Sequence, residues 1–228
     1  MKRFLIPVLL CSAAFAQVAE KANERYQTKE GREEVARELE NPNRDKTERP
    51  RDLVEAMGLK PRMKVADVGT GVGYMLPYLS QAVGPDGEVY GEDIAQDFLD
   101  RAQRRLNALG IKNVKLILGT EEDPKLPGGI LNAVLILDSY HHFNYPAAML
   151  KSIHDSLESD GKLFIVDYYK RPNAMGPGSG DRAVQHIRLD RDDMIKEVEE
   201  SGFHLVFKRD HIPGSQYIAA FEKAKDEP

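Results

Sequence analysis

Asp67, Asp93 and Asp138 each close a short apolar run, and the pair His141-His142 follows the last of them. The stretch Val65–Ser80 is the most informative. Its apolar run ends in Asp67, meets Gly69, Gly71 and Gly73 at every second position, and then becomes a helical pattern. Glycine suits such a strand-to-helix turn because a residue without Cβ takes up positive φ and lets a ligand come close to the backbone. The helix start beyond the turn offers unpaired N–H groups to that ligand. Asp93 stands twenty residues past Gly73 at the end of the next apolar run. A carboxylate there can accept hydrogen bonds from both hydroxyls of a ribose, as the acid of a dinucleotide site does. The dinucleotide spacing G-x-G-x-x-G would, however, put its third glycine at position 74, where Tyr74 stands. Imidazole exchanges protons near neutral pH, so His141 and His142 add a candidate proton acceptor to this group.

The form D-x-G-x-G-x-G resembles motif I of the class I S-adenosylmethionine (SAM)-dependent methyltransferases. The similarity is greatest to small-molecule enzymes of the quinone-biosynthesis type and runs over Leu59–Val206. It implies that Asp67, Gly69, Thr70, Gly71 and Gly73 face the amino-acid end of SAM. The ribose acid falls on Asp93, followed by Ile94, in preference to Glu92, whose side chain should point to the other side of the strand. After the third strand the family commonly shows G-D-A, with the Asp on the adenine amino group. Here Gly119-Thr120-Glu121-Glu122 departs from that, leaving Glu121, Glu122 or a main-chain group to reach adenine. Asp138-Ser139-Tyr140-His141-His142 stands where the quinone-type enzymes read A-L-H-H beside the methyl group. His141 or His142 is then either a base or a pocket wall, since an already nucleophilic acceptor needs only to be held in line. Asp138 and Asp167 occupy the place where catechol-type relatives hold Mg²⁺, but Tyr168 replaces the expected Asn. No zinc spacing is visible, so no metal is expected. The D/N-P-P-Y of amide and base N-methyltransferases and the cysteines of arsenite methyltransferases are both missing from the sequence.

The elements that must position these residues alternate. Strands are predicted at Met63–Val68, Glu88–Asp93, Val114–Leu118, Ile130–Leu137 and Leu163–Val166. Helices are predicted at Tyr74–Val83, from Ile94 to Leu109, around Leu150, Ile153 and Leu157, and at Asp192–Glu200. Continuous apolar runs such as Ile130–Leu137 are those of parallel strands covered on both faces. Late strands at Phe203–Phe207 and Tyr217–Phe221 complete an α/β, Rossmann-like, doubly wound seven-stranded sheet, mostly parallel with one antiparallel edge strand. Earlier, Glu33–Glu40 and Pro50–Met57 read as helices joined by an exposed connection, Asn43–Arg51. The long stretch Tyr168–Leu189 is a candidate substrate-covering loop with Arg182, His186 and Arg188 as polar contacts.

With 228 residues, 41 % hydrophobic and 30 % charged, the chain suits one ordinary globular domain. A net charge of −5 argues against general affinity for nucleic acid or acidic lipid. Lys2-Arg3, the apolar Phe4–Cys11 and Ala14-Phe15-Ala16 have the order of a secretory signal peptide. The expected organisation is therefore a signal peptide at 1–16, a helical lid or extension at 17–58 and a SAM-binding methyltransferase domain at 59–228. Export to the periplasm or outside is expected, or a cytoplasmic location if the signal is unused, without stable membrane insertion. The expected activity is methyl transfer from SAM to an O, N or C nucleophile of a small molecule. The alternative is an exported, non-catalytic binding protein on the same scaffold.

Overall fold

A computed structural model describes residues 19–224. The expected signal peptide lies outside these residues. Among them, no helix is long and apolar enough to cross a membrane.

Seven strands form one sheet: β1 (Lys64–Val68), β2 (Glu88–Asp93), β3 (Val114–Leu118), β4 (Leu131–Leu137), β5 (Leu157–Tyr168), β6 (Phe203–Ile212) and β7 (Gln216–Lys223). Their order is β3-β2-β1-β4-β5-β7-β6. The first five are parallel, and β7 runs antiparallel to both of its neighbours, leaving β6 at the edge. The two outermost strands thus come from one hairpin. After β1 the chain lays β2 and β3 to one side, then crosses to place β4 on the other. That reversal opens a crevice above the carboxyl ends of β1 and β4, where open α/β sheets bind ligands.

Alternation along the strands feeds two cores. Ala66, Val68, Val134, Ile136 and Ile165 face α6 (Pro146–Ser156) and α8 (Arg191–Glu200), whose Leu150, Ile153, Met194 and Val198 are buried against them. Val65, Val89, Leu135 and Phe164 face the opposite way, toward α3 (Pro50–Met57), α4 (Leu76–Val83) and α5 (Gln96–Leu109). Each strand residue changes face at the next position, which is the two-residue period of a pleated strand.

Several boundaries differ from expectation for local reasons. The helix α1 (Lys29–Leu39) begins four residues before Glu33, because Thr28 caps it by accepting from Gly31 N at 3.1 Å. The stretch Asn43–Arg51 is not an exposed connection: it holds α2 (Arg44–Glu48), and Glu48 is buried. Left-handed Arg49 (φ 47°) then turns the chain directly into Pro50 of α3. Leu157 belongs to β5 and not to the preceding helix; the register jumps between Leu131↔Leu157 and Ala133↔Lys162, so Gly161 sits in an irregularity that lengthens the strand. Within Tyr168–Leu189 lies a short helix, α7 (Arg182–His186).

A small third cluster ties the N-terminal helix to the crevice. Val35 and Ala36 of α1 pack with Val72 of the glycine turn and Phe98 of α5. Arg32 reinforces it with a two-pronged ion pair to Asp97 at 2.7 and 3.0 Å. Arg101 of α5 reaches Glu33 and Glu40.

Candidate active site

The glycine turn between β1 and α4 carries positive φ at Gly69 (71°) and Gly71 (56°). A Cβ on Gly69 would lie 2.0 Å from the Ser139 hydroxyl, so the two strand ends approach only because that position is bare. Gly73 serves a different purpose. It lies outside the groove described below, and its missing Cβ lets α5 come close, since a substituent would sit 2.9 Å from Ala102 Cβ.

Above this turn runs a groove of about 440 Å³, walled by Asp67, Gly69, Thr70, Gly71, Glu92, Asp93, Ile94, Thr120, Glu121, Asp138 and His142 among others. Asp67 accepts from Thr70 Oγ1 at 2.6 Å, and burial pushes its pKa up to about 6. Asp93 accepts from Gly71 N and Ala95 N, both at 2.9 Å. Burial again dominates and lifts it to about 6. Each Asp93 oxygen retains a lone pair for a further donor.

Glu92 does not turn away from the groove. It lines it together with Asp93, and its Oε2 accepts from Gly69 N at 3.3 Å. Its Oε1 is buried without a hydrogen-bond partner among the described residues. Desolvation, with Asp93 adding repulsion, raises its pKa well above the ordinary carboxyl range. Strand alternation alone hid it: the carboxylate reaches round beside Gly119, where a Cβ would meet Glu92 Oε1 at 1.9 Å. Of the two acids after β3, Glu121 lines the groove and Glu122 does not. Glu122 is exposed and donates only its backbone N–H to Thr120 Oγ1.

These features fit the cofactor that the sequence resemblance implies. Three carboxylates crowd the end where an ammonium and ribose hydroxyls would donate, and one of their oxygens is an orphan. Ile94, 51 % exposed, with Leu137, Phe143 and Met149, offers an apolar wall for a flat ring.

A second, larger cavity of about 800 Å³ adjoins the groove, and Tyr26, Leu39, Arg44, Asp138 and His142 line both. Asp138 is held in left-handed geometry (φ 52°) by its N–H donating to Val166 O at 2.8 Å. Its carboxyl accepts from Gln216 Nε2 at 2.8 and 3.1 Å, and the same amide donates to Glu48 at 2.8 Å. Burial and the neighbouring Glu48 and Asp167 drive Asp138 well above its usual value.

His141 and His142 lie on one 3-10 turn, Tyr140–His142, beyond β4. His141 Nδ1 is 2.7 Å from Asp167 Oδ1, and its backbone N–H donates to Asp167 Oδ2 at 3.1 Å. His142 Nδ1 is 2.6 Å from Asn23 Oδ1. Burial, with His141 and His186 nearby, pulls the His142 pKa well below 6.5. His186, at the end of α7, brings a third ring to the same cavity. Arg188 is not in either cavity wall; it is buried in an ion pair with Glu197, under the ring of Tyr140.

Residues 65–161 match the family described as "Methyltransferase domain". The chain is 33 % identical over 101 residues to a protein-L-isoaspartate O-methyltransferase of Ignicoccus hospitalis, covering 44 % of this chain and 47 % of that one. To a demethylmenaquinone methyltransferase of Geobacillus kaustophilus it is 30 % identical over 116 residues, 51 % of this chain and 50 % of the other. The chain therefore spans about half the length of these two curated relatives. Among solved structures, a SAM-dependent methyltransferase from Aquifex aeolicus superposes with a TM-score of 0.76 at 25 % identity, over 84 % of this chain and 98 % of that one.

Proposed function

We propose that this chain, which belongs to the class I S-adenosylmethionine-dependent methyltransferases, binds SAM in the smaller groove and transfers its methyl group to an O, N or C nucleophile of a small molecule in the adjoining cavity. One observation carries the reading: Asp138 and His142 line both spaces, so a group bound in one faces a group bound in the other. SAM supplies an electrophilic methyl on a sulfonium. The protein's task is then to bind, orient and exclude water, which for an in-line displacement is most of the catalysis.

In this reading Asp93 takes the ribose hydroxyls, Ile94 covers the adenosine, and Asp67 with the turn at Gly69, Thr70 and Gly71 takes the amino-acid end. Glu121, which lines the groove, reads adenine in the region where Thr120 replaces the usual Asp. The helical residues from 19 to 58 act as the lid, closed by Arg32 on Asp97. When the acceptor carries a proton, the cavity offers His141, whose Nδ1 is committed to Asp167 and whose Nε2 is left to accept; His142 is the second such nitrogen.

The test is calorimetric titration of the purified chain with SAM, S-adenosylhomocysteine (SAH) and NAD⁺, followed by methyl-labelled SAM with a panel of phenols, amines and quinols. Micromolar binding of SAM and SAH but not NAD⁺, with label transferred to at least one acceptor, is the expected result. A folded protein that binds neither SAM nor SAH refutes the assignment.

A further inference from the structure

We propose that His141, His142 and His186 form a three-imidazole site for one divalent transition-metal ion of the zinc type, set in the wall of the larger cavity. One nitrogen from each ring lies within 4.8 Å of the other two. The ring centroids are 4.1, 4.9 and 5.2 Å apart. Three nitrogens bound at about 2.0–2.1 Å around a tetrahedral ion stand roughly 3.4 Å from one another. Closing the site thus takes movements on the order of 1 Å, within reach of side-chain rotation. His186 sits at the last position of the five-residue α7.

The arrangement behind the rings separates this cluster from a chance meeting of histidines. Metal-bound imidazoles ordinarily donate their second N–H to a carboxylate or amide oxygen, which fixes the tautomer and aims the other nitrogen. His141 has such a partner in Asp167, 26 residues away, which holds the ring at 2.7 Å and the backbone N–H at 3.1 Å. His142 has one in Asn23, 119 residues away, whose Nδ2 also donates to the His142 carbonyl at 2.9 Å. With Nδ1 so engaged, Nε2 is the nitrogen left to each ring for an ion. A proton acceptor needs only one such ring. The observed convergence of three, two of them with an outer partner, exceeds that requirement.

The rings would ligate in their neutral form. Three neutral ligands leave the ion's full charge unbalanced and a fourth position open, as in catalytic rather than structural zinc sites. Asp138, Tyr168, Arg44 and Arg182 line the same cavity. An anionic oxygen suits the open position.

The existence of the site does not depend on methyl transfer; its use as an acceptor clamp rests on that reading. A hydroxyl acceptor entering the open position would lose its proton to solvent, because the ion lowers its pKa. Its lone pair would then form the new bond to the methyl carbon as the carbon–sulfonium bond breaks, releasing SAH and the methylated acceptor. In the ion-loaded protein, His141 would bind metal and would not serve as the base.

The experiment is a cobalt(II) titration of the untagged, chelator-stripped chain, read by visible absorption and followed by zinc displacement. SAH calorimetry and thermal melting are run on the same samples. One equivalent of cobalt should give the bands of a four- or five-coordinate ion and be displaced stoichiometrically by zinc. His186→Ala should abolish the bands at one equivalent, with His186→Gln as the second variant should the first fail to fold. Asp167→Asn should weaken affinity about 10–100-fold. His154→Ala, on α6 and outside the cavity, should change nothing. Absent bands, or bands that persist unchanged in His186→Ala and Asp167→Asn, overturn the proposal. SAH binding without cobalt binding rejects the ion alone; cobalt binding without SAH binding rejects methyl transfer and leaves the ion.

Discussion

Replacing Asp93 with Asn separates the binding role of this carboxylate from its structural one, because the two should move in opposite directions. Burial raises its pKa from 3.8 to about 6, equivalent to about 3 kcal/mol against the charged form at neutral pH. The folded carboxyl binds its proton more readily than the unfolded one. Stability therefore declines as pH rises through that interval, and Asn escapes the penalty. The amide in turn gives up one acceptor, leaving Gly71 N–H or Ala95 N–H without its partner at a cost of about 1–3 kcal/mol. The net change in apoprotein stability should stay within about 2 kcal/mol, or roughly 4–8 °C in Tm for a chain of this size.

Binding should respond far more. Hydrogen bonds to a charged acceptor are worth about 1.5–3 kcal/mol each. Losing 2–4 kcal/mol of ribose recognition raises the SAH Kd by roughly 30- to 700-fold. The parent should also bind SAH more tightly as pH rises through about 6, since only the carboxylate can accept both hydroxyls, and the Asn variant should lose most of that slope. Asp67, also near 6, carries the remainder. Calorimetry at pH 5.5, 6.5 and 7.5, with melting curves at each pH, reads all three quantities. A folded variant whose Kd stays within threefold of the parent would refute the ribose assignment. A collapse in Tm alongside the lost binding would show that Asp93 merely holds the glycine turn.

Gly69→Ala should lower Tm by several degrees and weaken SAH at least tenfold, because a left-handed residue gains a Cβ 2.0 Å from Ser139 Oγ. Adding Ser139→Gly should restore part of the stability, and no restoration would mean that backbone strain and not the clash dominates. Arg188→Ala leaves Glu197 with only the Tyr140 hydroxyl as its partner, so it should cost about 3 kcal/mol and several degrees of Tm while leaving SAH affinity unchanged; altered affinity would bring Arg188 into the site. Arg32→Ala should change global stability by less than about 1 kcal/mol yet speed proteolysis within 19–39, with SAH slowing it again. Unchanged cleavage would show that the Arg32–Asp97 pair does not hold the lid.

The fold was legible because its signals are local. Strand runs bounded by glycine turns and the 3–4 spacing along Phe98, Ala102 and Leu106 each follow from a periodicity that tertiary contacts reinforce. What escaped depends on partners far away in sequence. Nothing in Asn43–Arg51 announces that Glu48 will be buried, because that follows from Gln216, 168 residues on, donating to it. Alternation likewise assigned Glu92 to the far side of β2, and the prediction failed because a glutamate is long enough to curl back over the bare Gly119.

The same distinction divides the two halves of the site. The proposed cofactor half is built from one strand-turn-helix and the end of the adjacent strand, so its residues carry a fixed spacing that sequence exposes. The proposed acceptor half is assembled from ends that meet only above the sheet: Asn23 before α1, the turn after β4, Asp167 near the end of β5, and His186 in the stretch before α8. No interval between His142 and His186 resembles a zinc motif, yet the reversal of strand order that opens the crevice also brings these ends over one point. Such a half can change its acceptor, or acquire an ion, through single substitutions on separate loops without disturbing the glycine turn. Substrate identity in this chain should therefore be sought in the residues around His141, His142 and His186, where the fold constrains the sequence least.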